Sequence, residues 1–289
     1  MSDPEPHTLA GLLSLQPAGE DRWVAPTPGE GPWRLYGGQV AAQALSAACK
    51  TVPSERPPHS LHGYFIRPGR PDTTLELVVE RTRDGRSFST RHVTAVQDGK
   101  AIFNLIASFH GLEPGVDWQL PGPDVLPPTP GDPVAPAPVR GWFGPLGLFE
   151  RRPLHPADAE DPWPPHPCWV RLIEQISSDP AEQACALTFV SDMGVVGSAR
   201  APGDRARPAS LASLDHAIWF HRPFDVSEWH LFTVDPVSNH GGRGLARGSI
   251  HAGDGRLVAS IAQEALIRPG APGGRRRPGA PGWWRRPPA

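Results

Sequence analysis

The sequence predicts an α+β protein made of two repeats in one chain, each an antiparallel sheet wrapped around a central helix. Three observations point there. A helix of small residues is followed by a long run of strand-like segments. Motifs of the first hundred residues recur about 155 positions later. A proline-rich stretch separates the two copies.

Gly37-Gly38 precedes QVAAQALSAACK, whose only charge is Lys50. Small, weakly polar residues on every side mark a helix that is buried all round rather than half-exposed. Strand patterns follow over 61–66, 74–82, 87–97 and 101–109. The last two are joined by Asp98-Gly99, a hairpin signal because both residues tolerate the positive φ of a tight turn. One buried helix followed by an antiparallel meander is the hot-dog layout.

The second half repeats the pattern. Phe65, Arg67 and Pro68 recur as Phe220, Arg222 and Pro223, 155 positions on. Asp98-Gly99-Lys100 recurs as Asp254-Gly255-Arg256 at a shift of 156, and Arg91 falls on Arg247 at that shift. Nearly equal offsets indicate internal duplication, hence a double hot-dog. The expected division is a first repeat over 9–113, a linker over 114–167, a second repeat over 168–268 and a disordered Arg/Pro/Gly tail over 269–289. The linker holds 16 of the 38 prolines, and such composition does not bury a core.

Charge excludes some functions. A net charge of -2 argues against coating nucleic acid. The basic residues Arg275, Arg276, Arg277, Arg285 and Arg286 of the tail read as a solvated end. No apolar run reaches the ~18 residues of a membrane span, and the acidic N-terminus lacks a signal's basic region. A cytoplasmic protein is expected. Cys49, Cys168 and Cys185 lack CxxC spacing and read as reduced thiols. His216, His221, His230 and His240 match no zinc pattern, so no metal or cofactor is implied. Trp219, Phe220 and Phe224 read as core aromatics.

Candidate site residues emerge where the copies disagree. One face of the last strand carries Leu257, Ala259, Ile261, Gln263, Ala265 and Ile267; the first copy has Ala101, Phe103, Leu105, Ala107 and Phe109. Gln263 therefore stands where Ala107 stood. An unpaired buried amide costs about 1–3 kcal/mol, so Gln263 either bonds backbone or faces a site. Asp192 follows an apolar, strand-like run over 186–190 and falls, at the same shift, near Tyr36-Gly37. Alone it reads as a helix N-cap. Ser213 falls near Pro57-Pro58 and alone reads as a turn residue. Together the three suggest chemistry kept in one copy and lost in the other.

The segments YGGQVAAQAL, HSLHGYFIRPG, ERTRDGRSFSTRHVTAVQDGKAIF and SLDHAIWFHRPF resemble the acyl-CoA thioesterase II family, the double hot-dog thioesterases of bacteria and peroxisomes. The resemblance spans about 9–268, apart from most of the linker. It implies hydrolysis of an acyl-CoA to free fatty acid and CoA without a cofactor. It also implies that Asp192 of Ser191-Asp192, Ser213 of Ser213-Leu214-Asp215-His216 and Gln263 of Gln263-Glu264 hold and activate a water. The segment Met193–Gly197 is poorer in large apolar residues than is usual there, which bears on the depth of the acyl slot. The proline-rich linker and the arginine tail also depart from the family's pattern.

Two rival readings stand beside this one: a non-catalytic acyl-CoA-binding sensor, and a hydratase-like enzyme using an Asp/His pair. Asp215 and His216 are adjacent on a strand and so point to opposite faces. A covalent Ser213 lacks a GxSxG elbow. Surface arginines such as Arg67, Arg222 or Arg243 suit CoA phosphates, without one being singled out. Exposed sheet edges make a homo-oligomer an expectation.

Overall fold

A computed structural model describes residues 8–27, 34–129, 147–155, 166–202 and 210–268. The arginine-rich tail lies outside the described residues. In chain order the elements are α1 (Leu9–Leu12), β1 (Gln16–Pro17), β2 (Arg22–Ala25), α2 (Gly37–Cys49), β3 (Pro58–Phe65), β4 (Leu75–Asp84), β5 (Phe88–Gln97) and β6 (Lys100–His110). The second half gives β7 (Phe149–Pro153), β8 (Cys168–Leu172), α3 (Pro180–Ser191), α4 (Val195–Ser198), β9 (Ser210–Ser213), β10 (Asp215–Phe220), β11 (His230–His240), β12 (Arg243–Ala252) and β13 (Leu257–Arg268).

The strand order β4-β5-β6-β3 of the first half returns as β11-β12-β13-β10 in the second. The halves fuse where β3 pairs antiparallel with β10, Leu61 against Ile218 and Gly63 against His216. One continuous sheet thus crosses both repeats, with α2 and α3 packed against each other and sharing one hydrophobic core. This is a double hot-dog.

Local chemistry accounts for the elements. Asp98 (φ +48°) and Gly99 (φ +69°) make the tight β5–β6 turn, where positive φ at both central positions matches the twist of the strands. The second copy closes β12–β13 with a longer loop, Ala252 N–H donating to the Arg256 carbonyl. Helix α3 begins with Asp179 accepting the Ala181 N–H and Pro180 in the first turn, where a missing N–H costs nothing.

Several expectations change. The run over 186–190 is not strand but the end of α3. Burial on all sides removed the helical periodicity, and a short apolar run does not distinguish the two. Arg247 is not the counterpart of Arg91. The register sets Arg91 against Ala107 and Gln263 against Ala246, so Ala246 takes the place of Arg91, while Arg247 points outward and is exposed. Trp219 is 46% exposed on the outer face; Phe220 and Phe224 pack on the core. Part of the proline-rich stretch is structured, because β7 pairs with β8. Gln119 also grips the second repeat, accepting the Leu257 N–H and donating to the Gly255 carbonyl.

Contact between the helices depends on one glycine. A Cβ on Gly38 would lie 2.3 Å from the Phe189 carbonyl oxygen, and Tyr36 donates its hydroxyl to that same oxygen at 2.9 Å. Gly38→Ala is expected to force α2 from α3 and lower stability by about 1–3 kcal/mol in denaturant unfolding. Gly115→Ala, where nothing stands within 4 Å, should leave the midpoint unchanged. Equal midpoints for both variants would show that the helices are free to separate.

Candidate active site

The sequence candidates converge where the end of α3 meets the start of α2. Asp192 is the C-cap of α3 and is buried, 7% exposed. Its Oδ2 accepts the Gly38 N–H at 2.9 Å. Tyr36, the N-cap of α2, makes no side-chain cap bond. Asp192 is therefore the cap of a helix, but of the helix in the other repeat, 154 residues away in sequence. Its Oδ1 is buried and accepts no hydrogen bond among the described residues.

Ser213 ends β9, which pairs with β13 so that Ser213 lies opposite Ala265. Gln263 points inward from β13 and is fully buried. Its Nε2 donates to Ser213 Oγ at 2.8 Å. Its Oε1 lies 2.5 Å from His216 Nδ1, and His216 Nε2 lies 2.8 Å from Ser191 Oγ. The result is a polar chain from Ser191 through His216 and Gln263 to Ser213, beside the Asp192 carboxylate.

Burial pushes the Asp192 pKa up to about 7, against the Gln263 amide, the Gly38 N–H, the Arg34 charge and the Ser213 hydroxyl, all of which hold it down. Two helix ends also act in opposite senses. The C-terminus of α3 disfavours a negative charge, and the N-terminus of α2 favours one. Burial pushes the His216 pKa down to about 4, so this imidazole is neutral near pH 7.

The carboxylate opens on a cavity of about 250 Å³, lined by Leu35, Val40, Phe65, Ile102, Phe103 and Val196, with Arg34, Arg67, Gly37 and Ser213 also at its wall. An apolar slot with a few convergent polar groups is the usual form of a small-molecule site. Of the three surface arginines considered, only Arg67 reaches it. Arg222 pairs with Asp117 and Arg243 with Glu264. Asp215 and His216 point apart: Asp215 bonds His62 at 3.0 Å and the Glu264 N–H at 2.6 Å, while His216 faces the core.

Sequence comparison missed three contributors. The shift of 155 that aligned Ser213 with Pro58 also aligns His216 with Leu61, so its signal was present. The Gly38 N–H and Arg34 had no such signal. Helix α3 ends only 142 positions after α2, so the counterpart of Asp192 is the α2 C-cap Lys50, not Tyr36-Gly37. Asp192 meets Tyr36 and Gly38 because the helices touch, not because the repeats align.

The chain is similar to known proteins over most of its length. Models described as the acyl-CoA thioesterase N-terminal and C-terminal domains match residues 26–110 and 123–267. The chain is 35% identical to acyl-CoA thioesterase 2 of Haemophilus influenzae, over 81% of this chain and 88% of that protein. It is 35% identical to human acyl-coenzyme A thioesterase 8, over 89% and 88%. The crystal structure of an acyl-CoA thioesterase II from Mycobacterium marinum superposes with a TM-score of 0.73 at 34% identity, covering 92% of this chain and 99% of that one.

The raised Asp192 pKa has a consequence for stability. Between the unfolded value of about 3.9 and the folded value of about 7, the folded protein keeps a proton that the unfolded chain has released. Asp192 therefore costs stability increasingly from pH 4 to 7 and fully above 7, on the order of a few kcal/mol. Asp192→Asn should be more stable than wild type at pH 8, and the difference should shrink toward pH 4 in urea unfolding. A difference independent of pH would contradict the buried, proton-binding carboxylate.

Proposed function

The chain belongs to the acyl-CoA thioesterase family, and we propose how it hydrolyses acyl-CoA thioesters to free acid and CoA: a water held by Asp192, Ser213 and Gln263 attacks the thioester carbonyl. The observation that carries this reading is the buried Asp192 carboxylate, whose Oδ1 keeps an unused acceptor beside two polar side chains. A water donating to that oxygen lies against its base. Thioesters lack strong resonance stabilisation, so attack requires mainly positioning and partial deprotonation. Asp192 is the general base, a role worth ~10²–10⁴-fold. A pKa of about 7 leaves it ionised in a useful fraction at neutral pH while keeping it basic enough to take a proton. Ser213 and Gln263 fix the line of approach.

Charge develops on the carbonyl oxygen as water adds, and preorganised donors are what stabilise it. A helix leaves its first four N–H groups without intrahelical partners. At the start of α2, Gly38 gives its N–H to Asp192, and Gly37 lines the pocket one residue earlier. We take that helix start as the oxyanion donor. The acyl chain enters the apolar slot between Val40, Phe65 and Phe103, and the exposed Arg67 at the rim suits a CoA phosphate.

Ser213 as a covalent nucleophile is not supported. The group hydrogen-bonded to its hydroxyl is an amide, and both ring nitrogens of His216 are occupied elsewhere. We take the repeats to be 9–113 and 168–268, with 114–167 between them. Three free thiols support a reducing compartment, the cytoplasm. The exposed Tyr64, Ile106 and Trp219 support self-association of double hot-dog chains. Among the described residues no helix is long and apolar enough to cross a membrane.

Thiol release from short- to long-chain acyl-CoAs tests the site. Asp192→Asn is expected to lower kcat by ~10²–10⁴-fold with acyl-CoA binding retained. Wild-type kcat/KM should fall below a midpoint near pH 7, because protonation of Asp192 removes the base. Equal release by both proteins would sink the Asp192 role, and tight binding without release by wild type would favour the sensor reading.

A further inference from the structure

Gln263 presents two chemically different ends, and the reaction proposed above needs one of them. Only the amide nitrogen supports a carboxylate base, since the carbonyl end would set oxygen against oxygen beside Asp192. Something must therefore choose the orientation. The carbonyl end meets His216 Nδ1 at 2.5 Å, and the nitrogen end meets Ser213 Oγ at 2.8 Å.

A proton count follows from those contacts. Gln263 Oε1 accepts only, so the ring proton must sit on Nδ1. A neutral imidazole carries a single N–H, so Nε2 is bare and takes the Ser191 hydroxyl proton at 2.8 Å, in place of the Thr188 carbonyl that lies 2.9 Å from the same hydroxyl. His216 is fully buried, and the charged or titratable groups that act on it, Asp215 and His62, pair with each other on the far side of the sheet. Asp192 is itself faced by Arg34 and Tyr36.

The first repeat supports a role beyond packing. There the register sets Leu61 directly against Ala107. The shifts of 155 and 156 carry this pair onto His216 and Gln263. Where the first copy has Pro58, Leu61 and Ala107, the second has Ser213, His216 and Gln263. The core at this point accepts a wholly apolar pair, so the histidine and the glutamine stand or fall together.

We propose that His216 is a positioning residue that holds the Gln263 amide with its nitrogen toward Ser213 and Asp192 and its oxygen away from them. The inference rests on the reading that Gln263 serves the hydrolysis. His216 touches neither water nor substrate; it acts through Gln263 alone. With Gln263 free to turn, its carbonyl oxygen replaces the amide nitrogen that now favours the charged form of Asp192, so the same loss appears as slower turnover and a harder-to-ionise base.

A double-mutant cycle on acyl-CoA hydrolysis tests this in the full-length protein, using His216→Phe, Gln263→Ala and the pair. His216→Gln, which keeps polarity but moves the donor off the Nδ1 position, runs the same cycle should the phenylalanine variant fail to fold. Each single variant is expected to lose about tenfold or more in kcat, with KM little changed. The pair should lose no more than Gln263→Ala alone, because residues acting as a unit are not additive. The acid-limb midpoint of kcat should move upward in the His216 variants, and His216→Asn, whose side-chain N–H falls near Nδ1, should recover part of the rate. Losses that multiply in the pair, or His216→Phe or His216→Gln at the wild-type rate, overturn the inference while leaving the catalytic reading intact. Gln263→Ala at the wild-type rate overturns both.

Discussion

A single hydrogen bond, from the Gly38 N–H to the Asp192 carboxylate, ties the two repeats together at the candidate site. It joins the start of one repeat's central helix to the end of the other's. It is possible only because Gly38 lets α2 press onto the Phe189 carbonyl. The proposed base is thus a product of the contact between repeats, and neither copy alone can build it. The pairing of β3 with β10 fixes the halves in register, so the sheet determines how accurately the two helix ends meet.

That contact sets a balance between stability and reactivity. A carboxylate taken out of water resists ionisation, and the C-terminus of its own helix opposes the charge. Four groups work in the other direction: Gln263, Gly38, Arg34 and Ser213. Full compensation would leave a carboxylate of ordinary acidity, too weak a base for the work. Partial compensation leaves it near neutrality, where a general base operates best. The first repeat, with Pro58, Leu61 and Ala107 at the corresponding strand positions, spends the same space on packing. It keeps the helix start that Asp192 requires.

Much of this was legible in the sequence, for identifiable reasons. Helix α2 announced itself through small residues on all sides, and the β5–β6 hairpin through Asp98-Gly99. Ser213 and Gln263 stood out because strands of the two repeats keep an almost constant offset, so that Pro58 and Ala107 could be compared with them directly. The same comparison failed for Asp192, because the helices follow a shorter offset than the strands. It picked out Asp192 on an alignment that does not hold. Arg247 failed through a one-residue slip, which on a strand exchanges core for solvent. The capping of α2 from 154 residues away carried no local signal at all, since no spacing rule connects a helix start to an aspartate in another repeat.

The central claim is that Asp192 is a buried base with a pKa near neutrality, and carboxyl-carbon NMR on protein labelled at aspartate Cγ reads it directly. One aspartate resonance is expected to titrate near pH 7 and to disappear in Asp192→Asn. A spectrum in which no aspartate titrates near pH 7 would contradict it.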